Sequence, residues 1–310
     1  MNRGSRIIGY GTALPERVIT NHDLAQTLDT SDTWITERTG IKERRIGSTT
    51  RALAIEAAQG ALDMAGVDAG DLDSVVLATT TPDRVIPATA GSVQTALGAS
   101  CGAFDLNAAC SGFVYGLNVA HGLILAGAEH VLLIGSETLS RFVDWEDRAT
   151  AVLFGDGAGA VVLSATDGSG NALLGWALDC KGSLEKSLHC DFGGFIYMEG
   201  REVFRQAVRI MVDTCERALA AANLTTGDID LVVPHQANAR IIRSACEKLR
   251  ISEDRTVQVL GWTGNTSSAS IPLALADAAG NGRLATDDVV LLVGFGAGMT
   301  SASALLRWEL

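Results

Sequence analysis

Apolar residues run continuously, not alternately, through Val75-Val76-Leu77, Val161-Val162-Leu163 and Val289-Val290-Leu291-Leu292-Val293. Strands that read this way are buried on both faces, as in sheets covered by helices on either side. A helix-capable run, Ser111-Gly112-Phe113-Val114-Tyr115-Gly116-Leu117, is apolar almost all round and is expected in the interior. The pattern is that of an α/β protein.

The pattern also repeats. Ala61-Leu62 through Asp73-Ser74-Val75-Val76 reads like Ala218-Leu219 through Asp230-Leu231-Val232-Val233. Each is an alanine-rich helical stretch, a Gly- or Asn-marked turn, a triplet with Asp at both ends, then a β-branched strand. Position 61 falls on 218 and 73 on 230, an offset of 157 both times. Val131 to Gly135 falls on Val290 to Gly294 at an offset of 159, and Asn107 on Asn265 at 158. Ordinary α/β patterning explains one such match, but three in order at a near-constant offset point to duplication. The boundary is expected in the polar, turn-rich stretch from Thr166 to Asn171, giving halves 1–166 and 171–310. Two mixed sheets packed through shared helices would make a five-layered α/β/α/β/α body.

Three segments end strand-like runs with a reactive side chain: Asp105 to Gly112 carries Cys110, Val232 to Asn238 carries His235, and Gly261 to Ser267 carries Asn265. A thiol, an imidazole and an amide in one place supply a nucleophile, a proton-handling ring and a hydrogen-bond donor. That set points to acyl-thioester chemistry at the interface between the halves. Cys110 opens a helix-capable run, where unpaired amides and the dipole are expected to lower the thiol pKa. Pro234 constrains where the His235 ring starts. Taken singly, each has a duller reading: a buried inert cysteine, a structural histidine, a turn asparagine. The glycine-rich runs from Phe154 to Ala160 and Gly294 to Gly298 lack both the dinucleotide fingerprint and the phosphate-loop lysine, so they read as tight turns around the site.

A 310-residue chain that is 47% hydrophobic can bury a large core. Its net charge of −12 argues against nucleic acid as a partner. Six scattered cysteines, none at metal or redox spacing, fit a reduced cytoplasmic protein. Met1 to Leu14 has no signal-peptide apolar stretch, and no membrane span is expected.

On these residues the chain resembles the β-ketoacyl-[acyl-carrier-protein] synthase III family of the thiolase superfamily. The likeness runs from Ile7 to Arg307. It rests on Ser31 to Ile41, the Cys110 segment, Gly155 to Ala160, Pro234 to Asn238 and Gly264 to Ser270. The resemblance implies a thiolase-like fold and decarboxylative condensation of an acyl-CoA primer with malonyl-acyl-carrier protein, with no metal or other cofactor. It implies that Cys110 is acylated and that His235 and Asn265 hold the malonyl thioester carbonyl. The backbone N–H groups of Cys110 and Ala297 would form the oxyanion hole. It further implies that Trp34 and Arg148 sandwich the CoA adenine, Arg38 reaches its phosphates, and Asn238 orients the catalytic ring from behind. Arg148, among acidic neighbours, could equally be a plain surface residue.

Carrier-protein docking is expected on basic side chains. Arg201, Arg205 and Arg209 recur every four residues, and Arg240, Arg243, Lys248 and Arg250 follow His235. The alternative is a solvated face paired with Glu202 and Glu247. The segment from Cys180 to Met198 looks short for the family, Ala297 replaces a common glycine, and Ile86 stands where an aromatic often enters a partner subunit's acyl pocket. A homodimer is therefore expected, with the primer left open. Asn265 in place of a second histidine argues against elongating synthases, and the absence of a cysteine from Gly294 to Gly298 argues against thiolases. Acyl transfer without decarboxylation, and a non-catalytic carrier-binding homologue, stay as alternatives.

Overall fold

The computed structural model describes residues 3–167 and 170–310. Two of the six residues in the expected boundary stretch, Gly168 and Ser169, lie outside the described residues.

Nine strands build two sheets: β1 (Arg3–Ala13), β2 (Ser74–Ala78), β3 (Gly102–Leu106), β4 (His130–Thr138), β5 (Asp156–Asp167), β6 (Leu173–Cys180), β7 (Leu231–Pro234), β8 (Val289–Gly296) and β9 (Thr300–Arg307). The first sheet has the order β1-β5-β4-β2-β3, the second β7-β8-β9-β6. Both are mixed: β2 runs parallel to β3 and β4, and β7 parallel to β8, while the remaining pairs are antiparallel. The second sheet has only an isolated bridge, Val232 to Thr256, where the first has β3.

Helices Thr50–Ala65 and Thr89–Leu97 cover the outside of the first sheet, and Gly200–Ala222 lies on the outside of the second with Ala239–Leu249 packed beside it. Helices Gly112–Leu125 and Ser270–Gly280 lie between the sheets. The result is five layers with three apolar seams. Successive residues of one strand enter different seams: Val75 and Leu77 join the outer cluster, Val76 the central one. In the second sheet Val233, Leu292 and Leu306 face the centre, and Val232, Leu291 and Leu305 the other outer seam. This is why the strand runs are apolar at every position. The helix Ala239–Leu249 shows the complementary pattern, burying Ile241, Ile242, Ala245, Cys246 and Leu249 along one stripe.

The two central helices start alike. Asn107 Oδ1 accepts from Ala109 N at 3.2 Å, and Asn265 Oδ1 from Ser267 N at 2.9 Å. Ala109 and Ser267 share the same left-handed backbone, φ 49°, and each leads through a 3₁₀ turn into its helix. Paired glycines let these starts press on the opposite half. A Cβ on Gly135 would stand 2.5 Å from Ser268 O, and one on Gly294 3.2 Å from Cys110 O. We predict that Gly135→Ala costs about 1–3 kcal/mol, read as a lower urea midpoint at unchanged m-value. An unchanged midpoint would mean the halves can part there without penalty.

Candidate active site

A cavity of about 1130 Å³ opens where the strand ends of the two sheets meet, and Cys110, His235 and Asn265 all line it. Three loops deliver them. The strand β3 ends at Leu106, and the turn after Asn107 carries Cys110 to the threshold of its helix. His235 follows β7 directly, its N–H extending the ladder to Val293 O at 2.7 Å. Gln236 locks that corner: its amide donates to Pro234 O and Val257 O and accepts from Val259 N and Leu260 N. Asn265 is held by backbone bonds to Leu153 and Gly155.

The hydrogen bonds set what each group can offer. His235 Nδ1 lies 2.6 Å from Ser270 Oγ, which also accepts from Gln236 N at 3.3 Å. The ring nitrogen is the acceptor left for the Ser270 proton, so Nδ1 accepts and Nε2 carries the hydrogen. Phe295 packs its ring edge-on against the imidazole, centroids 5.4 Å apart. With Oδ1 committed to Ser267, Asn265 has its Nδ2 donors free for the cavity. Two N–H donors and one thiol therefore line the same cavity.

Burial pushes the Cys110 thiol up to about 12, opposed by the Ser267 hydroxyl and reinforced by buried Glu137. The sequence expectation of a thiol lowered by its helix N-terminus is thus corrected. The loss of water and a nearby carboxylate outweigh the terminal amides. Burial also drives the His235 ring down to about 3. The resting pair is a neutral thiol and a neutral imidazole.

The binding residues fare unevenly. Trp34, Arg38 and Arg148 line the same cavity at one end. The Arg38 guanidinium lies 4.6 Å from the Trp34 ring centre and that of Arg148 4.9 Å. Arg148 also donates to Asp29 O at 2.7 Å and pairs with its carboxylate at 3.7 Å, so its acidic partner is not in the segment from Asp144 to Asp147. A base between Trp34 and Arg148 requires Arg148 to leave the ring. Asn238 caps the helix Ala239–Leu249 through Arg240 N and donates to Arg38 O at 3.0 Å. Among the described residues no hydrogen bond joins it to His235, whose ring is oriented by Ser270. Ala297 has no positive φ, whereas Gly298 sits at 106°, so a methyl group at 297 needs no strained backbone. Ile86 is 84% exposed and lines no part of this chain's own cavity.

Among the basic residues, Arg205 pairs with Glu202 at 2.6 Å and Arg243 with Glu253, not Glu247, at 3.1 Å. Arg240 stacks on Phe204 at 5.6 Å and has no ion pair among the described residues. The segment from Cys180 to Met198 forms a short ribbon, Leu188–His189 against Tyr197–Met198, that borders the cavity.

Ser270, Glu137 and Ser267 escaped the sequence reading. Ser270 and Ser267 lie in the Asn265 motif, but one serine there looks like another. Because the ordinary histidine pKa of 6.5 falls to about 3 in the fold, the unfolded chain takes up a proton between those values that the folded chain refuses. Stability from the neutral ring is complete above pH 6.5 and is lost on acidification, at about 1.4 kcal/mol per pH unit. Between pH 7 and 5 the wild type is expected to lose about 2 kcal/mol more than His235→Gln in urea unfolding. Equal losses would mean that the ring titrates normally.

Models of the 3-oxoacyl-[acyl-carrier-protein] synthase III family match residues 104–182 and, for its C-terminal part, 219–308. A β-ketoacyl-[acyl-carrier-protein] synthase III of Rhizobium rhizogenes is 48% identical over 320 residues, covering 98% of this chain and 99% of its own. The solved 3-oxoacyl-[acyl-carrier-protein] synthase III of Aquifex aeolicus superposes with a TM-score of 0.96 at 47% identity, over 98% of this chain and all of that one. A priming β-ketosynthase from a polyketide biosynthetic pathway follows at 0.95 and 35% identity, over 99% and 97% of the two chains. With this fold and this likeness along its whole length, the chain belongs to the β-ketoacyl-[acyl-carrier-protein] synthase III family.

Proposed function

We propose that the protein acts in the cytoplasm as a homodimeric condensing acyltransferase, joining an acyl-CoA primer to malonyl-acyl-carrier protein with loss of carbon dioxide to initiate fatty-acid synthesis. The observation that carries this reading is the single cavity in which a thiol faces two oriented N–H donors. Residues 1–166 would contribute the nucleophile, and 171–310 the histidine and asparagine.

In the first half-reaction the Cys110 sulfur bonds to the acyl carbon, the bond to CoA sulfur breaks, and the thiol proton leaves with CoA. The negative oxygen formed on the way is held by the N–H groups of Cys110 and Ala297, and bare Gly296, where a Cβ would stand 2.5 Å from Cys110 N, keeps room for it. In the second, the malonyl C–CO₂ bond breaks and its electron pair passes to the thioester oxygen, which accepts from His235 Nε2 and Asn265 Nδ2. The enolate carbon then attacks the acyl carbon, the Cys110 C–S bond breaks, and the sulfur takes a proton from solvent. A ring that stays neutral suits this role, since it donates a hydrogen bond without surrendering the proton. Thiol, imidazole and amide supply every step, so no cofactor is invoked.

CoA would enter past Trp34 and Arg38, with Arg148 swinging off the indole to make way for the base. Asn238 would act by fixing Arg38. Dimerisation is supported by an unpaired sheet edge: β3 is terminal, Phe104 on it is exposed, and Val85 and Ile86 nearby are 79% and 84% exposed. Covered by a second copy, Ile86 would be free to reach the partner's acyl pocket. The carrier would dock on Arg205, Arg240 and Arg243. The surface ion pairs of Arg205 and Arg243 are weak enough to be exchanged for acidic groups on a partner, and Arg240 has none to break among the described residues. The likeness to the polyketide priming enzyme keeps a starter-unit role as the second reading.

Intact-protein mass spectrometry tests the chemistry. Wild type should gain an acyl adduct from acyl-CoA that Cys110→Ala does not, and malonyl-carrier protein should discharge it as a β-ketoacyl product. Asn265→Ala and His235→Ala should still acylate but condense at least about a hundredfold more slowly. An adduct that moves unchanged to another acceptor would identify a simple acyltransferase, and none with any acyl-CoA would favour a binding protein. Arg240→Glu should raise KM for malonyl-carrier protein about tenfold while sparing acylation by acyl-CoA. Equal loss in both half-reactions would remove Arg240 from the docking surface.

A further inference from the structure

Glu137 is fully buried, yet no cation pairs with it among the described residues. Its carboxylate is instead surrounded by donors from two directions. Oε2 receives Thr79 Oγ1 at 3.2 Å, Thr80 N at 3.0 Å, Thr80 Oγ1 at 3.1 Å and Thr81 Oγ1 at 2.7 Å, all from the loop after β2. Oε1 receives Ser267 Oγ at 3.1 Å and Ser268 Oγ at 2.8 Å, from the loop that carries Asn265. One carboxylate thus ties the two halves together next to the cavity.

The repeat gives the reason for its position. At the offset of 159 that relates β4 to β8, Glu137 corresponds to Gly296, and at 158 Ser268 corresponds to Cys110. Gly296 is bare where it meets the Cys110 amide, leaving space for substrate. In the corresponding place beside Ser268 the carboxylate fills the volume and bonds the serine. The second copy of the site has become a brace.

We propose that Glu137 is a positioning residue for the reaction, acting through Ser267. Ser267 N holds Asn265 Oδ1 at 2.9 Å, aiming the amide, while its hydroxyl stands between Glu137 and the Cys110 thiol. The Thr80 N–H, 3.2 Å from Oε1, and the Ser268 hydroxyl, which Oε1 shares with Ala78 O, remain on that oxygen when the Ser267 proton turns toward sulfur as negative charge develops there. A glutamine keeps the shape of this brace but reverses its polarity: with its oxygen toward the threonines its NH₂ donates to Ser267 Oγ, so the Ser267 proton loses the carboxylate oxygen that holds it.

This inference rests on Cys110 being the nucleophile. The test is rapid-quench acylation by acetyl-CoA, followed by condensation with malonyl-carrier protein, in wild type, E137Q, S267A and the double variant. Expected are acylation and condensation rates at least tenfold lower in each single variant, with KM for acetyl-CoA within twofold of wild type. The double variant should be no slower than the slower single one, because both changes break one path. Losses that multiply, a wild-type rate in either single variant, or a raised KM at unchanged kcat would overturn the role. If E137Q does not fold, S267A decides alone: a tenfold slower rate supports the role and a wild-type rate ends it. If wild type takes no label on Cys110, the nucleophile assignment has failed and this proposal falls with it. Labelled wild type with unaffected variants strikes the proposal only.

Discussion

The close approach of backbone to backbone at Gly135 against Ser268 and Gly294 against Cys110 governs the rest of this structure. A helix can begin against another strand's main chain only where that strand carries no side chain. The two glycines therefore set how near the halves come, and with that the distance between a thiol on one half and an imidazole and amide on the other. Further ties hold the same seam: Thr300 Oγ1 donates to Ala108 O at 2.9 Å, and Ser111 Oγ to Thr300 Oγ1 at 3.2 Å.

Burial of the reactive groups decides the electrostatics of the site. Burial raises the Cys110 thiol and lowers the His235 imidazole, so both lean toward the neutral form. In the proposed reaction charge would appear only as bonds to substrate form and break, and each developing charge would meet a donor whose direction is already fixed. Ser270 sets the His235 tautomer, and Ser267 sets the Asn265 amide. Catalytic power in such a site lies in preorganisation, not in a reactive ground state.

The layered fold was legible because double-faced burial leaves continuous apolar runs such as Val289 to Val293, and three reactive residues at strand ends were legible because their types are chemically unusual. What fixes those residues was not. Ser270, Ser267 and Thr81 are common residues whose value comes only from the atom each one faces. Glu137 reads in sequence as one more acidic residue, and only the fold turns it into a buried brace. The Cys110 pKa went the wrong way because a sequence displays the helix start but not the depth of burial. Long side chains chose partners across the fold: Arg148 took Asp29, and Arg243 took Glu253 in place of the near neighbour Glu247.

The repeat also explains why one cavity serves where symmetry offers two. Position 296 is glycine and position 137 glutamate; 110 is cysteine and 268 serine; His235 corresponds at offset 157 to Ala78. Each difference removes a reactive group or fills a space in one copy while leaving the other open. Both copies keep the asparagine turn and the left-handed residue after it, because these start the central helices and the fold needs both. Asn107 and Asn265 therefore answer to a structural demand first. The proposed chemistry would draw on Asn265, whose Oδ1 is held by that turn and whose side chain lines the cavity with Cys110.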